Sequence, residues 1–324
     1  MIIDNSYKFQ MMDELSEKKI PFFFMVDFLK NNVEIFTENE IIESGLLFDF
    51  QYNTEFVSRL GDDSFQWNTY PETKVSYQKG FDKIQNNIHL GNSYLVNYTR
   101  KTLIETNLSL EEIFYLSKAK YKVCYPDQFV FFSPETFVEI KNQRIYTHPM
   151  KGTIDASIEN AAEKLKNDVK EKAEHYTVVD LLRNDLSMVA DHVEVDEFQR
   201  IDLIKTKQKN LLAMSSEISG DLKPQFHNKI GSIMDKLLPA GSILGAPKPK
   251  TLEIIAEAEE DSRGFYTGVC GWFDGENLDS CVMIRFIEKE GDKLFFRSGG
   301  GITHLSKLED EYQEMKNKIY VPIY

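Results

Sequence analysis

The sequence predicts an α+β fold in which antiparallel strands are paired in hairpins and helices are inserted between them. Two apolar runs, 264–273 and 278–287, flank Asp274-Gly275, a dipeptide that favours a two-residue hairpin turn. Over residues 75–89 the apolar side chains instead follow the spacing of one helix face. Local hairpins with intervening helices favour this class over a doubly wound parallel sheet.

Local patterns predict the remaining elements. Ser109 and Ser306 are each followed three residues later by a glutamate, so both predict a helix that starts with a capping box. A stripe of small apolar residues predicts one long helix from 157 to about 176. Pro247 suits the first turn of a helix over 246–259. Further strands are expected over residues 22–28, 33–36, 93–102, 129–132, 136–140 and 293–298.

Length and composition limit the number of domains. A chain of 324 residues can form one large domain or two ordinary ones, and a hydrophobic fraction of 42% is ample for a packed core. No linker, repeat or low-complexity segment interrupts the sequence. We expect residues 1–74 to be a short N-terminal part of the same fold, and residues 75–324 to form the region that binds the ligand and carries the chemistry.

Charge and cysteine content argue against several classes of protein. A formal net charge of −14 disfavours a nucleic-acid surface, which needs clustered lysine and arginine. The three cysteines form neither a disulfide framework nor a CxxC metal pattern. The N-terminus lacks a signal pattern, and no apolar run is long enough to span a bilayer. We expect a cytoplasmic protein that binds neither nucleic acid nor membrane.

One lysine is a candidate nucleophile. Lys151 lies in the pentapeptide Pro149-Met150-Lys151-Gly152-Thr153, where proline fixes one backbone angle and glycine frees another. This pattern predicts a tight loop that directs one amine, and an amine kept partly neutral can attack a substrate. A solvated surface lysine is the alternative interpretation.

Two acidic pairs have a spacing that suits a metal site on helices. Glu171 and Glu174 are three residues apart, and so are Glu311 and Glu314, which places each pair on one helical face. Four carboxylates from two helices would suit Mg²⁺, which prefers oxygen ligands and keeps some of its waters. Two solvated acidic faces are the alternative in a chain with 52 acidic residues.

Two glycine-rich segments and one arginine are candidates for binding an anion. Gly241-Ser242-Ile243-Leu244-Gly245 leads into a helix, whose free N–H groups and dipole attract negative charge. Gly299-Gly300-Gly301 would let a ligand approach the backbone closely. Arg285 lies among apolar residues of a predicted strand, where its charge needs a partner such as a substrate carboxylate. Plain turns and a buried salt bridge are the alternatives.

Taken together, these segments resemble the chorismate-utilising enzymes, which include anthranilate synthase component I, aminodeoxychorismate synthase component I, and the isochorismate and salicylate synthases. The resemblance runs in family order over roughly residues 75–320, and it is most specific at 179–185 and 245–248. The motifs that carry it are Gly91-Asn92-Ser93-Tyr94, Ser133-Pro134-Glu135, Pro149–Thr153, Glu174-His175, Val179–Asp185, Gly241–Lys248, Gly268–Arg285, Gly299–Ile302 and Glu311-Tyr312-Gln313-Glu314.

The resemblance implies an antiparallel two-sheet β-sandwich with surrounding helices, and it assigns roles to the candidate residues. Mg²⁺ would be held by Glu174 and Glu314, with Glu171 and Glu311 acting through water or from behind the direct ligands. Glu135 matches the acid that protonates the departing C4 hydroxyl of chorismate. The substrate-binding residues implied in this way are Arg285, Tyr266, Ser242, Gly241, Gly245, Gly299, Gly300 and Gly301.

Lys151 distinguishes between the reactions of this family. Aminodeoxychorismate synthases resemble this chain in carrying lysine there, whereas anthranilate synthases usually carry alanine. The resemblance implies amination of chorismate to 4-amino-4-deoxychorismate, a transaminase-class step toward 4-aminobenzoate and folate, through a covalent intermediate on Lys151. Isochorismate and salicylate synthases use a lysine in the strand after Gly91, and here that strand has none before Lys101. A non-catalytic chorismate-binding protein is the alternative of a different class.

The resemblance also implies partners. No cysteine lies in a glycine-flanked nucleophile elbow, so ammonia is expected from a separate glutaminase subunit. A lyase would then convert the product to 4-aminobenzoate. Three positions depart from the family pattern: Ala213 replaces a frequent histidine, Leu95 a frequent glutamine, and Leu244 a frequent serine or threonine. The short N-terminal region disfavours an effector pocket.

Overall fold

The computed structural model describes residues 5–50, 65–204 and 210–323. The chain divides into two compact units, each assembled from three separated segments. The first unit comprises Met1–Ile35, Glu135–Ser242 and Val269–Cys281, and the second comprises Phe36–Pro134, Ile243–Gly268 and Val282–Tyr324. Each unit therefore combines early and late parts of the chain. The expected division into an N-terminal part, residues 1–74, and a functional region, residues 75–324, stays a prediction.

Helices and strands alternate along the described residues. The α-helices there are α1 (Ser6–Glu17), α2 (Glu38–Ser44), α3 (Lys74–His89), α4 (Leu110–Leu116), α5 (Ala161–Asn167), α6 (Val169–Val189), α7 (Ile230–Leu237), α8 (Lys248–Ala258) and α9 (Leu308–Asn317). The strands there are β1 (Phe22–Val26), β2 (Val33–Thr37), β3 (Leu47–Phe50), β4 (Trp67–Tyr70), β5 (Leu95–Thr106), β6 (Tyr121–Tyr125), β7 (Phe129–Ser133), β8 (Thr136–Lys141), β9 (Arg144–Thr147), β10 (Met150–Asp155), β11 (Ala190–Ile204), β12 (Leu211–Leu222), β13 (Gly245–Ala246), β14 (Val269–Phe273), β15 (Leu278–Val282), β16 (Phe286–Glu290) and β17 (Lys293–Ile302). Within the ranges that the structure describes, no helix combines the length and the apolar character needed to cross a membrane.

One sheet has the strand order β10-β12-β9-β8-β15-β14-β1-β2, and β11 also pairs with β12. The pairings of β1 with β14, of β8 with β9 and of β10 with β12 are antiparallel. All five residues of β1 are buried. This burial explains why the segment reads as an unbroken apolar run rather than as an alternating pattern.

The other sheet has the strand order β13-β5-β17-β16-β7-β6-β3, and β4 also pairs with β5. Its pairings are again antiparallel, as between β5 and β17 and between β7 and β16. Aromatic rings fill the core of this unit: the ring centroids of Phe129 and Phe286 are 4.7 Å apart. The predicted α+β class with two antiparallel sheets is therefore confirmed.

Helix α3 agrees closely with its prediction, and the β14–β15 hairpin forms at the predicted turn. The two strands of the hairpin are shorter than predicted, since β14 begins only at Val269 and β15 ends at Val282. The apolar positions that predict α3 are all buried, including Tyr77 and Phe81. The hairpin turn contains Gly275, which has a φ of +100°. The Asp274 carboxylate accepts a hydrogen bond from the backbone N–H of Glu276 at 2.8 Å, so it stabilises the turn.

The prediction of one helix from 157 to about 176 is wrong, because α5 and α6 are separate and meet at Asp168. Asp168 has extended backbone angles, and its side chain accepts a hydrogen bond of 2.9 Å from the N–H of Glu171. It is therefore the N-cap of α6. The apolar stripe continues across the break, so its periodicity does not reveal the end of α5.

Two helix starts and one strand end also differ from prediction. Helix α8 begins at Lys248 with Pro247 as its N-cap, and Ala246 belongs to β13. Helix α9 has Lys307 as its N-cap, and the Ser306 hydroxyl accepts a hydrogen bond from the Thr303 N–H instead of closing a capping box. Strand β17 continues through the three glycines, because each of them pairs with a residue of β5.

Candidate active site

Lys151 lies on a bulged strand and not in the tight loop that its sequence predicts. Lys151 is opposite Met214 of β12, but the register shifts before Thr153, which is opposite Ala213. Gly152, the residue between them, has a φ of +74°, a conformation that glycine adopts without strain. The bulge makes the backbone beside Lys151 irregular, and it lies in β10, the terminal strand in the order of its sheet.

Glu135 contacts the first glycine-rich segment. Glu135 lies between β7 and β8, and its Oε1 accepts a hydrogen bond of 2.6 Å from the hydroxyl of Ser242. Ser242 belongs to the 3₁₀ turn Gly241–Ile243. A Cβ on Gly241 would lie 2.9 Å from Oδ2 of Asp185, which belongs to the most specific motif. The structure thus brings the predicted acid and the predicted substrate-binding turn together, and a carboxyl beside a hydroxyl is suited to proton transfer.

The acidic pair on α6 lies next to the Lys151 strand. Glu174 is buried and Glu171 is half-buried. A Cβ on Gly152 would lie 2.8 Å from Oε2 of Glu171, so this carboxylate packs against the bulge. His175 is buried, and its Nε2 lies 2.7 Å from the hydroxyl of Ser216, a contact consistent with a structural histidine.

The acidic pair on α9 faces the second glycine-rich segment. A Cβ on Gly300 would lie 3.1 Å from Oε1 of Glu314 and 3.5 Å from Oε2 of Glu311, so both carboxylates approach the same point of β17. Lys318 donates hydrogen bonds to Oε1 of Glu314 at 2.7 Å and to the carbonyl of Gly299 at 2.8 Å. Sequence reasoning missed Lys318, whose signal is its position four residues after Glu314.

Two glycines of these segments are needed for close packing of the backbone. A Cβ on Gly299 would lie 2.2 Å from the carbonyl oxygen of Tyr98. A Cβ on Gly245 would lie 1.9 Å from the carbonyl oxygen of Leu95, and Gly245 also has a φ of +117°. These glycines let β13 and β17 pair with β5, which accounts for them independently of any ligand.

Arg285 does not lie at a strand position, as its sequence predicts, but in the break between β15 and β16. Its φ of +55° is in the left-handed region, so the chain changes direction there. The guanidinium lies 4.6 Å from the ring centroid of Tyr320, which is a cation–π contact. Tyr266 is buried, and burial raises the pKa of its phenol, so this side chain stays neutral and can donate a hydrogen bond.

The four glutamates have the donor chemistry that Mg²⁺ prefers, because all of their ligand atoms are carboxylate oxygens. Glu171 and Glu174 belong to the first unit, and Glu311 and Glu314 belong to the second. Within 5–50, 65–204 and 210–323, no three or more His, Cys, Asp or Glu side chains are gathered as a cation site. Within the second unit, the carboxylates of Glu311 and Glu314 both approach Gly300, an arrangement that suits a cation. The ion itself stays a proposal.

The three departures from the family pattern are buried. Leu95 and Leu244 belong to the core of the second unit, and Ala213 to that of the first. Ala213 is opposite Thr153 of β10 on one side and Asp202 of β11 on the other. All three therefore serve packing, and their effect on substrate contact stays a prediction.

Comparison with other proteins identifies relatives of this chain. Residues 37–323 match the chorismate binding enzyme family. The chain is 49% identical over 316 residues to an uncharacterized PabA-like protein of Pasteurella multocida, covering 97% of this chain and 98% of that protein. It is 32% identical over 272 residues to aminodeoxychorismate synthase component 1 of Bacillus subtilis, covering 77% and 55%. It is 29% identical over 314 residues to anthranilate synthase component 1 of Saccharomyces cerevisiae, covering 87% and 61%.

Solved structures share the fold. The menaquinone-specific isochorismate synthase of Escherichia coli has a TM-score of 0.73 at 15% identity, covering 98% of this chain and 81% of that one. Anthranilate synthase component I of Streptococcus pneumoniae has a TM-score of 0.67 at 24% identity, covering 79% and 58%. The structural similarity supports the two-sheet α+β fold, and at these low sequence identities it supports nothing beyond the fold. On the match over residues 37–323, the chain belongs to the chorismate binding enzyme family.

Proposed function

We propose that this protein is the chorismate-aminating component of an aminodeoxychorismate synthase. It would convert chorismate and ammonia to 4-amino-4-deoxychorismate and water. The observation that carries the proposal is the place of Lys151, which directly precedes the Gly152 bulge against which Glu171 packs. The 32% identity to aminodeoxychorismate synthase component 1 of Bacillus subtilis supports it.

The proposed chemistry has two displacements. The Lys151 amine forms a bond to C2 of chorismate, the ring double bond shifts, and the C4–O bond breaks. Glu135 gives a proton to the departing hydroxyl, which leaves as water. Ammonia then forms a bond to C4, the double bond shifts back, and the C2–N bond to Lys151 breaks. The attacking amine must be neutral, so a water-poor surrounding at Lys151 would favour the first step.

The substrate is an anion, and several residues would offset its charge. When bound, Mg²⁺ would neutralise carboxylate charge near the reacting ring. Glu174 and Glu314 would hold the ion, supported by Glu171 and Glu311. Arg285 would pair with a second carboxylate, because the planar guanidinium can donate two parallel hydrogen bonds to it. Further contacts would come from Tyr266, Ser242 and the backbone N–H groups of Gly241, Gly245, Gly299, Gly300 and Gly301.

The proposal includes two partners. Ammonia would come from a separate glutaminase subunit, and in vitro free ammonium would replace that subunit as the source of ammonia. A lyase would remove pyruvate from the product to give 4-aminobenzoate. Both would act in the cytoplasm.

Anthranilate synthase component I is the second candidate function, and the 29% identity to the yeast enzyme favours it. Lys151 disfavours it, because amination at C2 requires that ammonia, and no lysine, occupy that position. Isochorismate or salicylate synthesis is disfavoured by the absence of a lysine in the strand after Gly91 before Lys101. A non-catalytic chorismate-binding protein would have no use for Lys151 and Glu135.

Identification of the reaction product tests the proposal. The purified chain is incubated with chorismate, Mg²⁺ and ammonium, and the products are identified by mass spectrometry with and without aminodeoxychorismate lyase. We expect aminodeoxychorismate, converted by the lyase to 4-aminobenzoate. Anthranilate with pyruvate would refute the assignment made from Lys151, and isochorismate formed without ammonium would refute amination altogether. Absence of turnover with a glutaminase subunit also present would support the binding protein.

A further inference from the structure

The hydroxyl of Tyr77 is buried without a partner. Tyr77 lies on the first turn of α3 and has no exposed surface. Among the residues that the structure describes, none provides a hydrogen bond to this hydroxyl. A buried hydroxyl that lacks a hydrogen bond is costly, and phenylalanine would fill the same space without that cost. The presence of tyrosine therefore indicates that the hydroxyl has a partner in another state of the protein.

The ring of Tyr77 is held between two other tyrosines. Its centroid lies 4.9 Å from that of Tyr98 on β5 and 5.4 Å from that of Tyr312 on α9. Both neighbours have partners for their own hydroxyls: Tyr98 donates to the carbonyl of Tyr77 at 3.2 Å, and Tyr312 donates to the carbonyl of Glu72 at 2.6 Å. Of these three tyrosines, Tyr77 is the one whose hydroxyl lacks a hydrogen-bond partner among the described residues.

The packing places Tyr77 beside the acidic pair of α9. Tyr312, which contacts its ring, lies between Glu311 and Glu314 in the same helix. Tyr98, the other contact, is opposite Gly300, and both glutamate carboxylates approach Gly300. Burial raises the pKa of the Tyr77 phenol, and the charge of Glu311 is the next largest cause, ahead of Glu314 and Glu72. The hydroxyl therefore stays protonated and can act as a donor.

We propose that Tyr77 is a positioning residue for the Mg²⁺ ligands of α9. Its hydroxyl would donate a hydrogen bond to the carboxylate of Glu311 when that carboxylate adopts the orientation used to hold the ion. The donor fixes the orientation of the carboxylate, as residues behind metal ligands do in other sites. The inference rests on the proposed Mg²⁺ site and adds a residue to it.

The test removes one oxygen atom. Tyr77→Phe keeps the ring and its packing and deletes the hydroxyl, and Tyr98→Phe is the matched control, since it deletes a neighbouring buried hydroxyl that bonds to backbone. Binding of Mg²⁺ to the metal-free protein is measured by calorimetry with magnesium chloride. We expect the Kd of Tyr77→Phe to rise by roughly ten-fold, the lower end of the effect for residues that orient metal ligands, and that of Tyr98→Phe to stay near wild type.

Thermal unfolding without Mg²⁺ separates positioning from a structural role. Tyr77→Phe should be at least as stable as the wild type there, because the lost hydroxyl has no partner in that state. An unchanged Kd for Mg²⁺, or a large loss of stability without Mg²⁺, would overturn the inference. Absence of Mg²⁺ binding by the wild type would instead refute the metal site on which the inference depends.

Discussion

Gly152 adopts a left-handed backbone conformation and also leaves room for a neighbouring carboxylate, and a larger residue would disturb both. Its φ of +74° forms the bulge after Lys151, and the space where a Cβ would stand is 2.8 Å from Oε2 of Glu171. The colliding atom is the end of a flexible side chain, so it can move aside with little cost. A substitution would therefore strain the backbone and displace a carboxylate at once.

Gly152→Ala should lower the free energy of unfolding by roughly 1–2 kcal/mol, because an L-residue is strained in the left-handed region. It should also weaken Mg²⁺ binding, because the carboxylate of Glu171 must move. Gly291→Ala is the matched control: Gly291 has a φ of +58°, but nothing lies within 4 Å of its Cβ position. Urea unfolding should show similar losses for both variants, and calorimetry should show weaker Mg²⁺ binding for Gly152→Ala alone. Equal Mg²⁺ affinities would contradict the role of Glu171.

For single residues, the sequence identifies the candidate side chains better than it identifies the contacts that they make. The family resemblance identifies Glu135, and the glycine-bracketed turn identifies Ser242. Nothing in the sequence indicates the hydrogen bond between them, because it joins positions 107 residues apart. Arg285 was expected on a strand, since the apolar run hides the turn. Lys318 was missed because a lysine four residues after a glutamate is also the pattern of many solvated pairs.

At the scale of elements, the start of α6 positions Glu171 and Glu174. Asp168→Ala removes the N-cap hydrogen bond to the Glu171 N–H and should lower the free energy of unfolding by about 1 kcal/mol. Asp180→Ala, an exposed position within the same helix, is the control and should change it little. Urea unfolding measures both. Equal effects of the two substitutions would show that the cap does not stabilise α6.

Elements whose bounds follow from the local pattern of apolar residues could be predicted. Elements whose bounds depend on pairing with a distant strand could not. The helix predicted over 75–89 agrees with α3 within one residue, because its apolar side chains form one buried face. The end of β17 was predicted wrongly, since three glycines usually end a strand and only the pairing with β5 keeps them extended. The break between α5 and α6 depends on one capping residue inside a continuous apolar stripe.

For the whole molecule, buried acids of high pKa predict a loss of stability in alkali. Burial raises the pKa of the Cys124 thiol from 9.0 to about 12, and it also raises the pKa of Tyr77, Tyr98 and Tyr266. The folded state keeps protons that the unfolded state releases, so the stability is complete below pH 9.0 and falls as the pH rises toward 12.

Cys124→Val should reduce this dependence, because it removes one titrating group and keeps a buried apolar side chain of similar size. Urea midpoints measured at several pH values above 9.0 should fall less steeply in the variant than in the wild type. Near neutral pH the urea midpoint should change with pH equally in the two proteins, because the thiol is protonated in both the folded and the unfolded state. Parallel curves above pH 9.0 would contradict the raised pKa.

The proposed function depends on a covalent bond between Lys151 and chorismate, and intact-mass spectrometry of the protein detects such a bond. Wild-type protein given chorismate and Mg²⁺ without ammonia should gain the mass of chorismate less one water, and ammonium should then release it as aminodeoxychorismate. Lys151→Ala should remain folded and gain no mass. An adduct on Lys151→Ala, or full wild-type activity in that variant, would contradict the mechanism.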